Sequence, residues 1–507
     1  MARKIFEKAR TKMVRRSAFD LSHEVKTSQQ WADLNPIMCK EVLPGDQFAV
    51  NSEVMVRMAP TIAPIMHRID VYVHHFFVPN RIVWDDWEKF IFPVDNADTL
   101  PVLPTITANS NHSATRLDDR SLWARLGLPT LDPTQMTEDL KVNALPFRAY
   151  AAIWNEYYRD ENLQAEIDLT GTTINSEIGR LRKRAWEKDY FTSALPFSQK
   201  GPAVLIPAGT GSLSDVQLIN ELTGNPVASQ DVLTDASGFL KGDTDIGGEL
   251  QFRDGQLGTT IEDLRRSARL QEWLERAARG GTRYKEALKS FFGMNVGDAR
   301  LDRPEYLGGG KQPITISEVL NTTGITGENV QGDMAGHGIA VGANNAFKYT
   351  CKEHGHIISI LSILPKTAYQ QGIERNWSRQ DRYDYYWHEF ANLGEQQVVN
   401  KELYYEAGGG QANENTFGYQ QRYAEYKYDC DKVSGDFRTS LDFWHVGRQF
   451  NARPTLNSTF ITPSTEDDLD RIFAVQPTTA QADQFWIQVY NSVKARRPMP
   501  YFSNPTL

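Results

Sequence analysis

A chain of 507 residues with 40% hydrophobic and 11% aromatic side chains can build a large packed core and is not a disordered polymer. Three widely spaced cysteines, Cys39, Cys351 and Cys430, supply neither a disulfide framework nor a paired zinc motif. The net charge of −9 is uneven: residues 1–16 carry Arg3, Lys4, Lys8, Arg10, Lys12, Arg15 and Arg16 against Glu7 alone, a net of +6 that leaves −15 on the other 491 residues. A basic arm on an acidic body is the pattern of a nucleic-acid-binding tail. No apolar stretch follows the arm, so no secretory signal is expected.

Past the arm, LSHEVKTSQQW alternates weakly. VLPGDQFAVNSEVMVRMAP then offers a Pro-Gly-Asp turn followed by Phe48, Val50, Ser52, Val54, Val56 and Met58 on one face of a strand. RIDVYVHHFFVPN alternates too, with Ile69, Val71, Val73, His75 and Phe77 on one side and Asp70, Tyr72, His74 and Phe76 on the other. Adjacent strand residues point to opposite faces, so His74 and His75 cannot chelate one ion together, and a structural role is expected for both.

From about Arg81 the pattern changes. ALPFRAYAAIWNEYYRDENL predicts an amphipathic helix with Phe147, Tyr150, Ala151, Trp154 and Tyr158 along its stripe. A second helix is predicted at TTIEDLRRSARLQEWLERAARGG, with Thr259 and Glu262 spaced as a capping box, and a further helical series runs from Thr282 through Phe291. Residues 207–258, rich in Gly, Ser, Asp and Thr, read as a large surface excursion. Strand-like segments return at PITISEVL, AFKYTCKEHGHIISILSILPKTAY, EQQVVNKELYY and FGYQQRYAEYKYD. One β-sandwich with swollen connections explains this order better than alternating βαβ units.

The chemistry-bearing motifs fail one by one. EYLGGGKQP lacks the first Gly and the Ser or Thr of a phosphate-binding loop, and EAGGGQ lacks dinucleotide spacing, so each Gly triplet is expected to be a flexible loop. CKEHGH offers Cys351, His354 and His356, with both histidines expected on one strand face, but no carboxylate follows to complete a cupin-like metal set. WHEF has no second histidine four residues on, and no G-x-S-x-G occurs. IISILSILP at 357–365 is too short for a membrane helix, so no membrane insertion is expected.

FDLSHEVKTS, LPGDQF, MAPTIAPIMHRIDVYVHHFFVPNRIVWDDWEKFI, ALPFRAYAAIWNEYYRDENL, SILPKTAYQQGIERNWSR and RRPMPYF, distributed over nearly the whole chain, resemble the major capsid protein of microviruses, closest to the gokushovirus-like branch of these small single-stranded DNA phages. The resemblance implies a mainly β fold, an eight-stranded antiparallel jelly roll with large helical and loop insertions. The expected organisation is an arm over residues 1–18 and one capsid domain over 19–507, with insertions at about 81–200 and 207–300 and a threefold surface protrusion at 207–258. It further implies a non-enzymatic shell protein without cofactor: a 60-copy T=1 homo-oligomer in the virion, assembled in the host bacterial cytoplasm around circular single-stranded DNA. The implied partners are a small basic DNA-binding protein, a scaffolding protein, a pilot protein and a host surface receptor. In that setting the arm's seven cations with Lys494, Arg496 and Arg497 are expected to meet the genome, and Trp84, Trp87 and Trp154 to meet neighbouring subunits. The rival from another class is a carbohydrate-binding or cupin-like metalloenzyme on the same sandwich.

Overall fold

The computed structural model describes residues 16–91, 101–201, 261–279, 302–322, 334–343, 345–464, 467–474 and 483–502, with four three-residue strands between 218 and 252. The chain divides into two compact units, one of Met1–Pro196, Gly297–Ala391 and Gln396–Leu507, the other of Phe197–Val296 and Asn392–Glu395.

Among the described residues, eleven strands build the two main sheets of the first unit: β1 (Ser17–Asp20), β2 (His23–Gln29), β3 (Asn35–Val42), β4 (Gln47–Met58), β5 (Ile69–Pro79), β6 (Glu305–Pro313), β7 (Thr315–Leu320), β8 (Met334–Gly342), β9 (Ala346–Thr350), β10 (Gly355–Pro365) and β11 (Phe485–Arg497). They form two antiparallel sheets. In the first, β1 and β2 share one flank of β11, β4 lies on its other flank, β8 and β9 share the far side of β4, and β7 closes the edge beside β8. The second runs β6-β5-β10-β3. From β2 to β5 each strand crosses to the opposite sheet, and β10 and β11 again lie in opposite sheets, so the chain wraps a sandwich in the manner of a jelly roll. Eleven segments stand where eight were expected, because two positions are each shared by two strands and β7 is added at an edge.

Period-2 alternation builds the core. Along all twelve residues of β4 a buried side chain follows one that is at least partly exposed. Val54, Val56, Ile487 and Val489 from the first sheet pack against Val71, Val73, Leu361 and Ile363 from the second. Phe48, Val50 and Val493 continue the layer against Met38, Phe77 and Ile357. Each such side chain contributes roughly 1.5–3 kcal/mol by leaving water.

The second sheet is covered on its other face as well. Helix α1 (Leu145–Ile153) and its flanking turns lay Leu145, Phe147 and Tyr150 over Phe76, Ile358 and Ile360. All eleven residues of β10 are therefore buried, which is why its sequence is a nearly continuous apolar run. Arg81, where the first insertion begins, is anchored to the loop before β10 by its Nε donating to Glu353 at 2.6 Å.

One expectation is overturned here. EYLGGGKQP is not a loop but strand β6, paired antiparallel with β5. Its glycines permit close approach, since a Cβ on Gly309 would lie 2.2 Å from the Val73 carbonyl oxygen.

The second unit contains helix α2 (Ile261–Arg279) and two small antiparallel pairs, Leu218–Asn220 with Leu250–Phe252 and Val232–Thr234 with Leu240–Gly242. The helical series expected over 282–291 lies outside the described residues.

Candidate functional site

The two histidines of β5 are structural groups. His75 faces the sandwich interior, donating from Nε2 to the Asn345 carbonyl at 3.0 Å and accepting at Nδ1 from Ser359 Oγ at 2.7 Å. His74 faces the helical cover, with Nδ1 2.7 Å from Tyr158 OH. Burial pushes both imidazoles down to about 4, so they are neutral near pH 7.

The CKEHGH motif does not converge on one face. His354 precedes β10 and packs against the Trp87 ring, centroids 5.7 Å apart, while His356 is buried with Nδ1 3.0 Å from Asn80 Oδ1. The shared strand face expected for these two histidines is therefore absent, because β10 starts between them at Gly355. Among the described residues no group of three or more His, Cys, Asp or Glu side chains could hold a metal ion.

The sheet formed by β1, β2, β11, β4, β8, β9 and β7 presents a different surface. On β11 the residues between the core positions point away from the sandwich, so Trp486, Tyr490, Lys494 and Arg496 are exposed, and Lys348 on β9 is exposed beside them. Ala18 and Asp20 on β1, Gln47 and Ala49 on β4, and Lys348, Lys494 and Arg496 line a shallow concavity of about 630 Å³ at this end of the sheet. Lys494 forms an ion pair with Asp20. Arg496 makes no ion pair among the described residues. Arg497 is held inward: its Nη2 donates to the Glu41 carbonyl at 2.8 Å and its Nε lies 3.4 Å from Asp46. Arg3, Lys4, Lys8, Arg10, Lys12 and Arg15 lie outside the described residues. Arg16 is exposed, and the next residue, Ser17, pairs with Arg497, so the arm is tethered to the cationic end of this sheet.

The three tryptophans divide. Trp84 and Trp87 are half-buried and stack edge to face, centroids 6.3 Å apart. Trp154 is only 5% exposed, packed in the cluster under α1 with the Arg182 guanidinium 5.0 Å above its ring. It has little surface to give a neighbour. The exposed aromatic concentration lies elsewhere, at residues 376–390, NWSRQDRYDYYWHEF, which carry six aromatic side chains at neither strand nor helix period. That mismatch was the available signal, because aromatics without a period have no shared face to bury.

A two-sheet sandwich of this path is a jelly-roll architecture, one that viral coat proteins share with lectins and cupins, so the fold narrows the class without choosing within it. A model of the family described as capsid protein (F protein) matches residues 8–507. Capsid protein VP1 of Chlamydia phage 1 is 34% identical over an alignment covering 99% of this chain and 97% of that protein. The VP1 capsid proteins of Bdellovibrio phage phiMH2K and Spiroplasma virus 4 are 34% and 31% identical, each over 97% of this chain and 95% of the relative. The chain belongs to this phage capsid protein family. It is a structural major capsid protein and not an enzyme, its place is the virion, and its copies assemble into a homo-oligomeric shell. No described helix is long and apolar enough to cross a membrane.

Proposed function

We propose that sixty copies close a T=1 icosahedral shell around a circular single-stranded DNA genome, and that the basic arm, with Lys494 and Arg496 at the sheet end where it is tethered, forms part of the genome contact. The observation that carries this reading is the coincidence of three cationic features at one edge: Arg16 leading back into the arm, exposed Lys494 and Arg496 on β11, and Lys348 beside them. A shell closed around DNA has to offset phosphate repulsion, and a body at −15 is poorly suited to do so without the arm. Arg497, turned toward Glu41 and Asp46, contributes chiefly by holding the strand end.

The rest of the proposal follows from the resemblance to microvirus coat proteins. A small basic DNA-binding protein of the same virus shares the neutralisation, a scaffolding protein guides assembly in the host bacterial cytoplasm, and a pilot protein completes the virion. Residues 207–258 form the threefold protrusion that meets a host surface receptor, and Trp84 and Trp87 contribute to contacts between subunits.

The test is single-stranded DNA binding against salt. With seven arm cations engaged, the slope of log K on log salt is about −5, at about −0.7 per neutralised phosphate. Deleting residues 2–16 flattens that slope and lowers packaged DNA while the sandwich stays folded. An unchanged slope with normal packaging would remove the arm from the genome contact.

A further inference from the structure

The loop NWSRQDRYDYYWHEF has no place in any of the four clusters of the core, yet it is highly ordered by its own contacts. Asp381 and Asp384 cap the turn at 382–384, where the Asp384 carboxylate accepts the Gln380 and Asp381 backbone N–H groups at 2.9 Å each. Trp387 Nε1 donates to the Arg382 carbonyl at 2.8 Å, and Tyr423 OH reaches the Tyr385 carbonyl at 3.3 Å. Despite this order, Trp377, Tyr383, Tyr385, Tyr386 and Trp387 are 79, 51, 53, 44 and 48% exposed.

Arginines and neighbouring rings pack on several of these side chains. Arg379 lies over Tyr385 and Tyr426 at 5.4 and 4.4 Å, Arg382 lies over Tyr383 at 4.9 Å, and Tyr386 packs against Tyr423 with centroids 4.9 Å apart. A cavity of about 460 Å³ opens beside it, lined in part by Arg375, Arg379, Tyr426 and Tyr428. Half-exposed Tyr and Trp rings offer about 100 Å² each, so Trp377, Tyr383, Tyr385, Tyr386, Trp387 and the half-exposed Tyr426, with the arginine stems, approach the roughly 800 Å² that one partner contributes to a specific interface. Tyr, Trp and Arg are also the residues that dominate binding energy in such interfaces.

Charge decides what class of partner fits. Arg375, Arg379, Arg382 and Arg422 are matched in number by Asp381, Asp384, Glu389 and Glu425, with Glu425 3.3 Å from Arg379 and 3.9 Å from Arg375, so the patch offers phosphate no excess of positive charge. It is therefore unsuited to nucleic acid. A prearranged aromatic surface, needing little ordering on contact, suits a protein. We propose that this patch is a contact between copies of this chain, buried when the shell closes; the proposal rests on the shell reading and adds to it the surface that does the closing.

Oxidative footprinting of the full chain tests it, applied to dissociated subunits, empty shells and DNA-filled shells. The expected result is at least fivefold lower reactivity of Trp377, Tyr383 and Trp387 in both kinds of shell than in subunits. A Trp377→Ala, Tyr383→Ala double variant should keep its melting temperature as a subunit and lose at least tenfold in assembled fraction. Shells whose patch stays as reactive as in subunits overturn the proposal while leaving the shell intact. Protection in DNA-filled shells alone overturns it in favour of a nucleic-acid contact. If no particle forms under any condition, the shell reading fails and this contact fails with it.

Discussion

Arg448 and Asp467 are both about 2% exposed, with Nε donating to Oδ1 at 2.8 Å, while Nη2 donates to the Phe460 carbonyl and the guanidinium lies 4.3 Å from the Phe460 ring. Such a pair adds little net stability when complete, but removing one partner strands a charge. Asp467→Ala is expected to cost roughly 3–5 kcal/mol in a denaturant titration of the subunit; a change under about 1 kcal/mol would mean that water reaches Arg448. His75 and His356 give the fold a pH dependence of definite sign. Burial lowers both to about 4, below the value of about 6.5 they take in an unfolded chain. The unfolded state then binds more protons between pH 6.5 and 4, so the stability they contribute is complete above about 6.5 and is lost as pH falls toward 4, by up to about 3 kcal/mol each. Urea unfolding at pH 7, 5.5 and 4 measures this, and His75→Gln should show a shallower loss. An equal loss in that variant would assign the acid sensitivity to other groups.

At the scale of elements, β6 depends on Gly309, where a methyl group would meet the backbone of β5. Gly309→Ala should cost about 2 kcal/mol by forcing the two strands apart, read as a lower subunit melting temperature. An unchanged melting temperature would mean that β6 moves freely. This strand also marks where sequence reading failed. The alternation of β4 and β5 was legible because each keeps a consistent core face, and α1 was legible from its helical spacing, although eight of its nine residues are buried and it is not the amphipathic helix expected. β6 was not, because three consecutive glycines carry no hydrophobic period and read by composition as a loop. Trp154, expected at a subunit contact, directly follows α1 and is buried with it in the cluster over the second sheet, which helical spacing alone does not distinguish from a contact face. The cationic end of the sheet was half legible, since Lys494 and Arg496 are near in sequence while Lys348 arrives from another strand. For the proposed protrusion, shortening residues 207–258 should leave the sandwich folded and impair host attachment, because the segment falls in the second compact unit. Recovery of aggregate alone would mean that the segment supports the sandwich.

Within the first unit, one sheet of the sandwich is covered by α1 while the other leaves Trp486, Tyr490, Lys494 and Arg496 exposed, so its two faces differ, as the proposed wall between solvent and genome requires. In the proposed sixty-copy shell, closed point-group symmetry would repeat every contact sixty times, so modest hot spots of about 2 kcal/mol would suffice to hold it. Mass measurement on purified particles tests this most directly. Sixty copies of a 57.5 kDa chain give a protein shell of about 3.5 MDa, and the account predicts a single assembled species of that protein mass with icosahedral symmetry and single-stranded DNA inside. A discrete small oligomer that persists at high concentration and in the presence of the companion virion proteins would contradict it.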